Sequence, residues 1–365
     1  MKLRCERDVL VEALSTAGRA TAGRSGALPV LSGVRLETQG DTLVATGTDL
    51  DLTIATEVTV TGLDDGVVVA PGRLVTDIVR ALDPGAVTVE AEEEDLRITS
   101  GRSVFSVRTH PAADFPRLPT PSGDEVTLPV EGLAEALRQV VRAASSEDSR
   151  PILTGVLMAA EEGGLRLVST DSYRLAVRDL AGVGILAADQ KVLVPSRALN
   201  ELGRLLGGSG EVALRLGAHD ATFRTGSVSL TTRLIEGEFP NYRQLIPAFY
   251  PNRLVVGREA FLEAVRRVKL LAKDPVTPVR IALAADGIQL SVITPDWGQA
   301  SEDVDAKYEG AEITVAFNPT YLIDGLEAVP GDEVVLSTLD ALKPATLRPV
   351  EGEDFLYLLM PVRVS

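Results

Sequence analysis

The sequence predicts an α+β fold in which one unit, two helices packed on antiparallel sheets, occurs three times along the chain. Three observations predict it. Each third contains a run of alternating apolar and polar residues around a Thr-Asp turn; a helix with a Glu-Ala-apolar core precedes it; a strand, a proline and a second helix follow it. The clearest hairpin pattern is LRLVSTDSYRLAV, residues 165–177. Leu165 and Leu167 share one side with Arg166 opposite; beyond the turn Tyr173, Leu175 and Val177 share a side opposite Arg174, Ala176 and Arg178. Its counterparts are LVATGTDLDLTIA at 43–55 and IQLSVITPDWGQAS at 288–301.

In chain order, the first helix of each repeat is marked by Glu12-Ala13-Leu14, Glu135-Ala136-Leu137 and Glu263-Ala264-Val265. A proline entering a strand follows at Pro29, Pro151 and Pro278. The hairpins carry Asp49, Asp171 and Asp296, and the strand-proline-helix signals sit at Pro71, Pro195 and Pro319. From first to second copy these landmarks are 123, 122, 122 and 124 residues apart, and from second to third 128, 127, 125 and 124. Four near-equal offsets in one order mean a triplicated domain of about 120 residues. The stretches 110–125 and 237–252 are proline-rich, with Phe115-Pro116 in one and Phe239-Pro240 in the other. Proline cannot donate to a strand ladder, so these stretches serve as junctions between domains at 1–120, 126–247 and 252–365. The glycine-rich GGSG at 207–210 lacks the Lys-Ser/Thr of a phosphate loop and reads as a turn; the acidic run 92–95 reads as a solvated turn.

At 365 residues and 45% hydrophobic, the chain is expected to be globular and able to bury sizeable cores. Its start, MKLRCERD, has no apolar run of a signal peptide and no window approaches a membrane span. One cysteine, Cys5, permits no internal disulfide and fits a reducing cytoplasm. With His110 and His219 as its only histidines, a His/Cys-ligated structural zinc is excluded, and no cofactor is expected. The net charge of −16 argues against nucleic acid unless the bases are segregated.

They are segregated. In residues 132–145, Leu133, Leu137, Val140 and Ala144 form one stripe at helical spacing while Arg138 and Arg142 project from the other face. In residues 258–273, Phe261, Val265, Val268 and Ala272 form the buried stripe, and Arg258, Arg266, Arg267, Lys269 and Lys273 stand against only Glu259 and Glu263. Arg73, Arg80, Arg197 and Arg204 lie on the second helices of the first two repeats. A mixed solvated face accounts for any one of these; recurrence on repeated helices points to a shared polyanion-facing surface.

The triplication, TDSYRLAV (170–177), FPNYRQLIP (239–247) and the terminal YLLMPVRVS (357–365) together resemble the β subunit of bacterial DNA polymerase III, the sliding-clamp family, over the whole chain. The resemblance implies a non-catalytic head-to-tail homodimer, two chains of three DNA-clamp domains closing a six-domain ring with helices lining the hole and sheets outside. It implies encirclement of double-stranded DNA without sequence preference. It also implies tethering of the polymerase III catalytic subunit, the clamp loader, other polymerases and repair proteins through short peptides, with no membrane partner. Loose, salt-dependent phosphate attraction suits sliding, and the lining candidates are Arg24, Arg73, Arg138, Arg142, Arg197, Arg266, Arg267 and Lys273. Glu147 is left out because it is acidic.

By matched motif positions, the implied peptide pocket has walls at Leu153, Thr154, Thr170, Ser172, Tyr173, Arg174 and Leu175, then Pro240, Gln244 and Leu245. Pro344, Leu358, Met360, Pro361, Val362 and Arg363 close it. A soft apolar floor with proline ridges suits an extended peptide; on the residues alone, 358–362 reads first as a buried final strand, and the resemblance reverses that balance. Tyr173 stands where the family often has histidine, and Gln244 where some relatives have a base, which bears on client preference. By helical period, Leu270 lies about 180° from Phe261, so it is either singly exposed or part of an interface. Head-to-tail assembly sets Leu270 and Leu271 against a partner's Phe105 and Val107, with Arg102 facing Glu302 and Asp303. Two other readings remain open: a hydrolase using Asp49, Asp171 and Asp296, and a divergent paralogue that binds client peptides as an adaptor or replaces the clamp under inhibition.

Overall fold

The computed structural model describes residues 1–365 except 24–27, 162, 188, 208, 275, 286, 364 and 365. Among the described residues there are six α-helices: α1 (Arg7–Gly18), α2 (Gly72–Ala81), α3 (Val130–Val140), α4 (Ser196–Leu205), α5 (Arg258–Lys269) and α6 (Pro319–Ala328). That is two per repeat, as the periodicity predicts. None is long and apolar enough to cross a membrane.

The chain forms two compact units, residues 1–130 with 201–234, and residues 131–200 with 235–365. In the first, a five-stranded sheet runs Thr61–Asp64, Lys2–Glu6, Ala86–Glu92, Asp95–Ser100, Ser103–Arg108. An eight-stranded sheet runs Glu125–Pro129, Glu211–Leu216, Asp220–Thr225, Val228–Arg233, Leu52–Thr59, Thr42–Thr48, Gly33–Gln39, Gly66–Pro71. In the second, a nine-stranded sheet runs Lys191–Pro195, Gly155–Glu161, Gly164–Thr170, Arg174–Ala181, Phe355–Leu359, Ala345–Pro349, Glu333–Thr338, Asn252–Gly257, Ala306–Glu309. Its four-stranded companion runs Gly298–Val304, Gly287–Thr294, Val279–Ala284, Ile313–Phe317.

The middle repeat thus contributes to both units, because strands pair across repeat boundaries. In both cases the second strand of a Thr-marked hairpin pairs with the last strand of the next repeat. Leu52–Thr59 joins Val228–Arg233, with Ile54 opposite Leu230; Arg174–Ala181 joins Phe355–Leu359, with Leu175 opposite Leu358. Each junction removes two exposed edges, which would otherwise present unpaired N–H and C=O groups.

The helices bury the stripes expected of them. In the first unit Leu10, Ala13, Leu14 and Ala17 of α1 and Val75 and Val79 of α2 join Leu3, Leu36, Leu43 and Val89 from the sheets. In α5 the buried face is Phe261, Leu262, Ala264, Val265 and Val268. Two predicted helices end early. α3 stops at Val140 and tightens to a 3-10 turn, Val141–Ala143, so Ala143 rather than Ala144 is buried. α5 ends at Lys269, and the next three amides bond three residues back, Leu270 to Arg267, Leu271 to Val268 and Ala272 to Lys269. Ala272, expected in the buried stripe, is therefore only half-buried, and Lys273 lies beyond the helix.

The three hairpins share one hydrogen bond at the mouth, and it is the threonine that marks the common position. Thr48, Thr170 and Thr294 each donate a hydroxyl to the carbonyl four residues on, Leu52, Arg174 and Gly298, at 3.1, 2.6 and 3.2 Å. Asp49 and Asp171 follow directly and accept two backbone amides each on Oδ1. In the third copy Pro295 holds that place, so Asp296 is one position out of register. Pro319 is also displaced: Pro71 caps α2 from outside whereas Pro319 is the first residue of α6, behind the cap Asn318. Both positions tolerate proline because no intrahelical bond needs their N–H. Pro29 and Pro151 open 3-10 turns, Pro29–Ser32 and Pro151–Thr154, before their strands; Pro278 meets its strand directly.

Candidate functional site

The 170–174 turn places its side chains by backbone constraint. Asp171 Oδ1 accepts the amides of Tyr173 and Arg174 at 2.9 and 3.0 Å, Thr170 Oγ1 accepts that of Ser172 at 3.1 Å, and Ser172 is held at φ +82°. The turn leaves Tyr173 57% exposed and sends Leu175 fully inward. Between them Arg174 is half-buried against a polar set: Nε bonds Asp171 Oδ2 at 3.0 Å, and Nη1 bonds Asp324 and, at 3.3 Å, the Tyr357 hydroxyl. Its guanidinium stands 4.4 Å from the centre of the Tyr321 ring, on which Tyr173 also stacks at 6.4 Å. Burial works against the Arg174 charge, but Tyr357, Asp324 and Asp171 outweigh it and raise its pKa; burial likewise raises that of Tyr357. Arg174 is a fixed cation beneath an aromatic pair.

The chain's end completes this place. After strand Phe355–Leu359, the Met360 amide bonds the Tyr173 carbonyl at 2.9 Å and the Val362 amide bonds Ala316 at 2.8 Å. Leu175 and Leu358 lie in one apolar cluster with Leu157, Val177, Tyr242 and Leu356, and Ile152, Phe239 and Ile246 pack against it. Strand pairing sets Ala345 opposite Leu359, which brings the half-buried Pro344 alongside Met360. Of the sequence-derived pocket residues, Leu153, Thr170, Leu175 and Leu358 form a buried floor. Ser172, Tyr173, Pro240, Gln244, Leu245 and Met360 are exposed at the rim, with Pro361 and Val362 half-buried. Thr154 turns its hydroxyl back to Pro151, and Arg363 is exposed. Tyr321, Asp324 and Tyr357, which hold Arg174, were not legible beforehand, because their spacing along α6 and the last strand has no motif. An exposed aromatic and a methionine over a closed apolar floor can seat an extended apolar peptide segment.

The basic helix faces are placed as follows. Arg24 lies outside the described residues. Arg73 is almost fully exposed with Asp77 at 3.9 Å; Arg197 is exposed on α4; Lys273 is exposed after α5. The other four bond as follows. Arg138 bonds the Glu327 carbonyl at 2.7 Å, Arg142 bonds the Glu327 carboxylate, Arg266 bonds Glu263 and Glu327 at 2.6 Å each, and Arg267 bonds Glu302 at 3.0 Å. The charge count along α5 therefore overstates its positive face, since it omits carboxylates brought in from elsewhere in the fold.

Two sheet edges bear the remaining candidates. Strand Ser103–Arg108 ends its sheet, with Phe105 and the neighbouring Val104 exposed, whereas Val107 is turned into the core of its own unit; Arg102 lies in the preceding turn, exposed. Strand Gly298–Val304 ends the other sheet, with Glu302 engaged by Arg267 and Asp303 accepting Gln289 at 2.9 Å. Leu270 is 70% exposed and Leu271 half-buried. The three hairpin aspartates do not form a catalytic set: each belongs to a different hairpin, and Asp49 and Asp171 are spent on backbone amides. Burial pushes the Cys5 thiol up to about 11, which keeps it protonated at neutral pH.

Profiles of the N-terminal, central and C-terminal domains of the DNA polymerase III beta subunit match residues 1–119, 127–241 and 243–363. The beta sliding clamp of Streptomyces coelicolor is 36% identical over 380 residues, covering all of both chains. That of Proteus mirabilis is 33% identical, again over all of both. Among solved structures, the DNA polymerase sliding clamp of Bacillus subtilis superposes with a TM-score of 0.92 at 29% identity, all of both chains covered. The Pseudomonas aeruginosa clamp bound to griselimycin gives 0.91 at 29%, again over all of both.

Proposed function

Because the chain belongs to the DNA polymerase III beta-subunit family, the beta sliding clamps, we propose that it works as a DNA sliding clamp. Two copies close head to tail into a ring around duplex DNA. The ring tethers the replicative polymerase and other clamp-binding proteins, confers processivity and performs no chemistry of its own.

One observation carries the ring. Twice within the chain, the second strand of a Thr-marked hairpin pairs with the last strand of the following repeat. The third hairpin's second strand, Gly298–Val304, and the first repeat's last strand, Ser103–Arg108, are left as sheet edges among the described residues. The same pairing between two copies consumes both edges, and doing so twice closes six repeats. Such heterologous contacts form a ring when the rotation per repeat permits closure. On this reading Arg102, Phe105, Leu270, Leu271, Glu302 and Asp303 lie at the junction, and Val107 supports it from the core.

Client peptides are assigned to the site built on Tyr173, Arg174, Leu245 and Met360 over Leu175 and Leu358. The exposed cations Arg73, Arg197 and Lys273, with Arg24, face DNA. Repeat boundaries at 1–120, 126–247 and 252–365 and a cytoplasmic location belong to the same proposal. The test is retention on nicked circular plasmid after loading. The protein is expected to co-elute with the circle and to be lost when a restriction cut linearises it; equal retention on both forms, or on neither, refutes topological linkage.

A further inference from the structure

Three arginines meet at one residue of α6. Glu327 Oε1 accepts Nη2 of Arg266 at 2.6 Å, Oε2 accepts Nη1 of Arg142, and the Glu327 backbone carbonyl accepts Nη1 of Arg138 at 2.7 Å. Glu263 also takes Arg266 at 2.6 Å, and Glu135 lies 3.9 Å from Arg138. Asp324 likewise lies 3.9 Å from Arg142, so three guanidinium groups stand against four carboxylates, of which Asp324 also pairs with Arg174 and Glu263 lies 3.9 Å from Arg267. The cluster is not sealed: the arginine side chains are 43–47% exposed and that of Glu327 is 27% exposed. A carboxylate offers guanidinium groups two oxygens in much the geometry of a phosphodiester. Burial raises the Glu327 pKa, but the bonds from Arg142 and Arg266 outweigh it and hold it below the usual carboxylate range, so the group is ionised at neutral pH.

We propose that Glu327 is a built-in competitor for backbone phosphate, which occupies Arg142 and Arg266 and so holds the grip of this face on duplex DNA below what its arginines would give. The inference rests on the reading of these helices as the DNA-facing side of a sliding clamp. A guanidinium engaged by a carboxylate neutralises no phosphate and releases no counterion. A phosphate that takes either arginine must first displace Glu327. Solvent-exposed pairs of this kind are weak, so the exchange weakens contact without forbidding it. Loose contact is what sliding needs: each fully engaged phosphate would add friction and salt dependence.

The experiment is fluorescence anisotropy of the full-length protein with a labelled duplex across a series of NaCl concentrations. Glu327→Gln is expected to tighten low-salt binding several-fold and to steepen the slope of log affinity against log salt by about one. Glu327→Asp, which keeps the charge, is expected to keep the original slope. A Glu327→Gln slope equal to that of the unaltered protein overturns the proposal, because a merely structural Glu327 would change the unfolding temperature and not the slope. Should Glu327→Gln fail to fold, Arg266→Gln decides: a slope loss well under one supports the competitor, and a full loss of about one overturns it. Absence of any salt-dependent affinity in the unaltered protein, or affinity with an unmoved slope, overturns this proposal alone; the sliding-clamp reading beneath it falls only with the retention assay on nicked circular plasmid.

Discussion

Single side chains set the geometry on which the peptide site depends. Asn318 caps α6, its Oδ1 accepting the amides of Thr320 at 2.9 Å and Tyr321 at 3.4 Å. Tyr321 is the ring shared by Arg174 and Tyr173, so the cap fixes the first turn that carries the platform. Asn318→Ala is expected to cost about 1 kcal/mol, as lost caps do, read as a lower urea midpoint, and to weaken client-peptide binding modestly by calorimetry. An unchanged midpoint would mean that neighbouring contacts alone hold the turn. The residues that neutralise the arginines were illegible beforehand for a physical reason. Glu327 and Arg266 are 61 positions apart, and the sequence of one helix shows only its own acids.

Among the elements, α6 shows packing overruling local preference. Gly325 sits mid-helix, where alanine would favour the helix by about 1 kcal/mol. A Cβ there would meet the Tyr357 ring at 2.6 Å and Leu347 at 2.8 Å. Overpacking a tight core costs about 1–3 kcal/mol, so the clash outweighs the propensity. Gly325→Ala is expected to lower the calorimetric unfolding temperature, and a rise would show that the strand beneath gives way freely. The helices themselves were readable because their apolar stripes repeat at 3.6 residues. Their ends were less so: α3 and α5 tighten in their last turns, which no side-chain period announces.

At the level of the whole molecule, assembly concerns two sheet edges and one exposed leucine. Leu270, 70% exposed, and Phe105, 39% exposed, carry apolar surface that the head-to-tail contact would cover. Leu270→Glu with Phe105→Glu is expected to shift the protein from dimer to monomer in sedimentation velocity while its circular dichroism is unchanged. A full dimer from the double variant would place the junction elsewhere.

The threefold repeat, the α+β class and the hairpins were determined by sequence alone, since periods of 2 and 3.6 and four spaced landmarks are local properties of the chain. So was the closeness of Leu175 to its own turn. The tertiary structure decided what local pattern cannot carry: which strand joins which across repeats, that Pro295 and not Asp296 answers Asp49 and Asp171, and that Val107 is buried. It also decided which carboxylates pair with the helix arginines. Pairing and neutralisation are made by residues far apart in the chain, and their partners are fixed only when the sheets and helices close on one another.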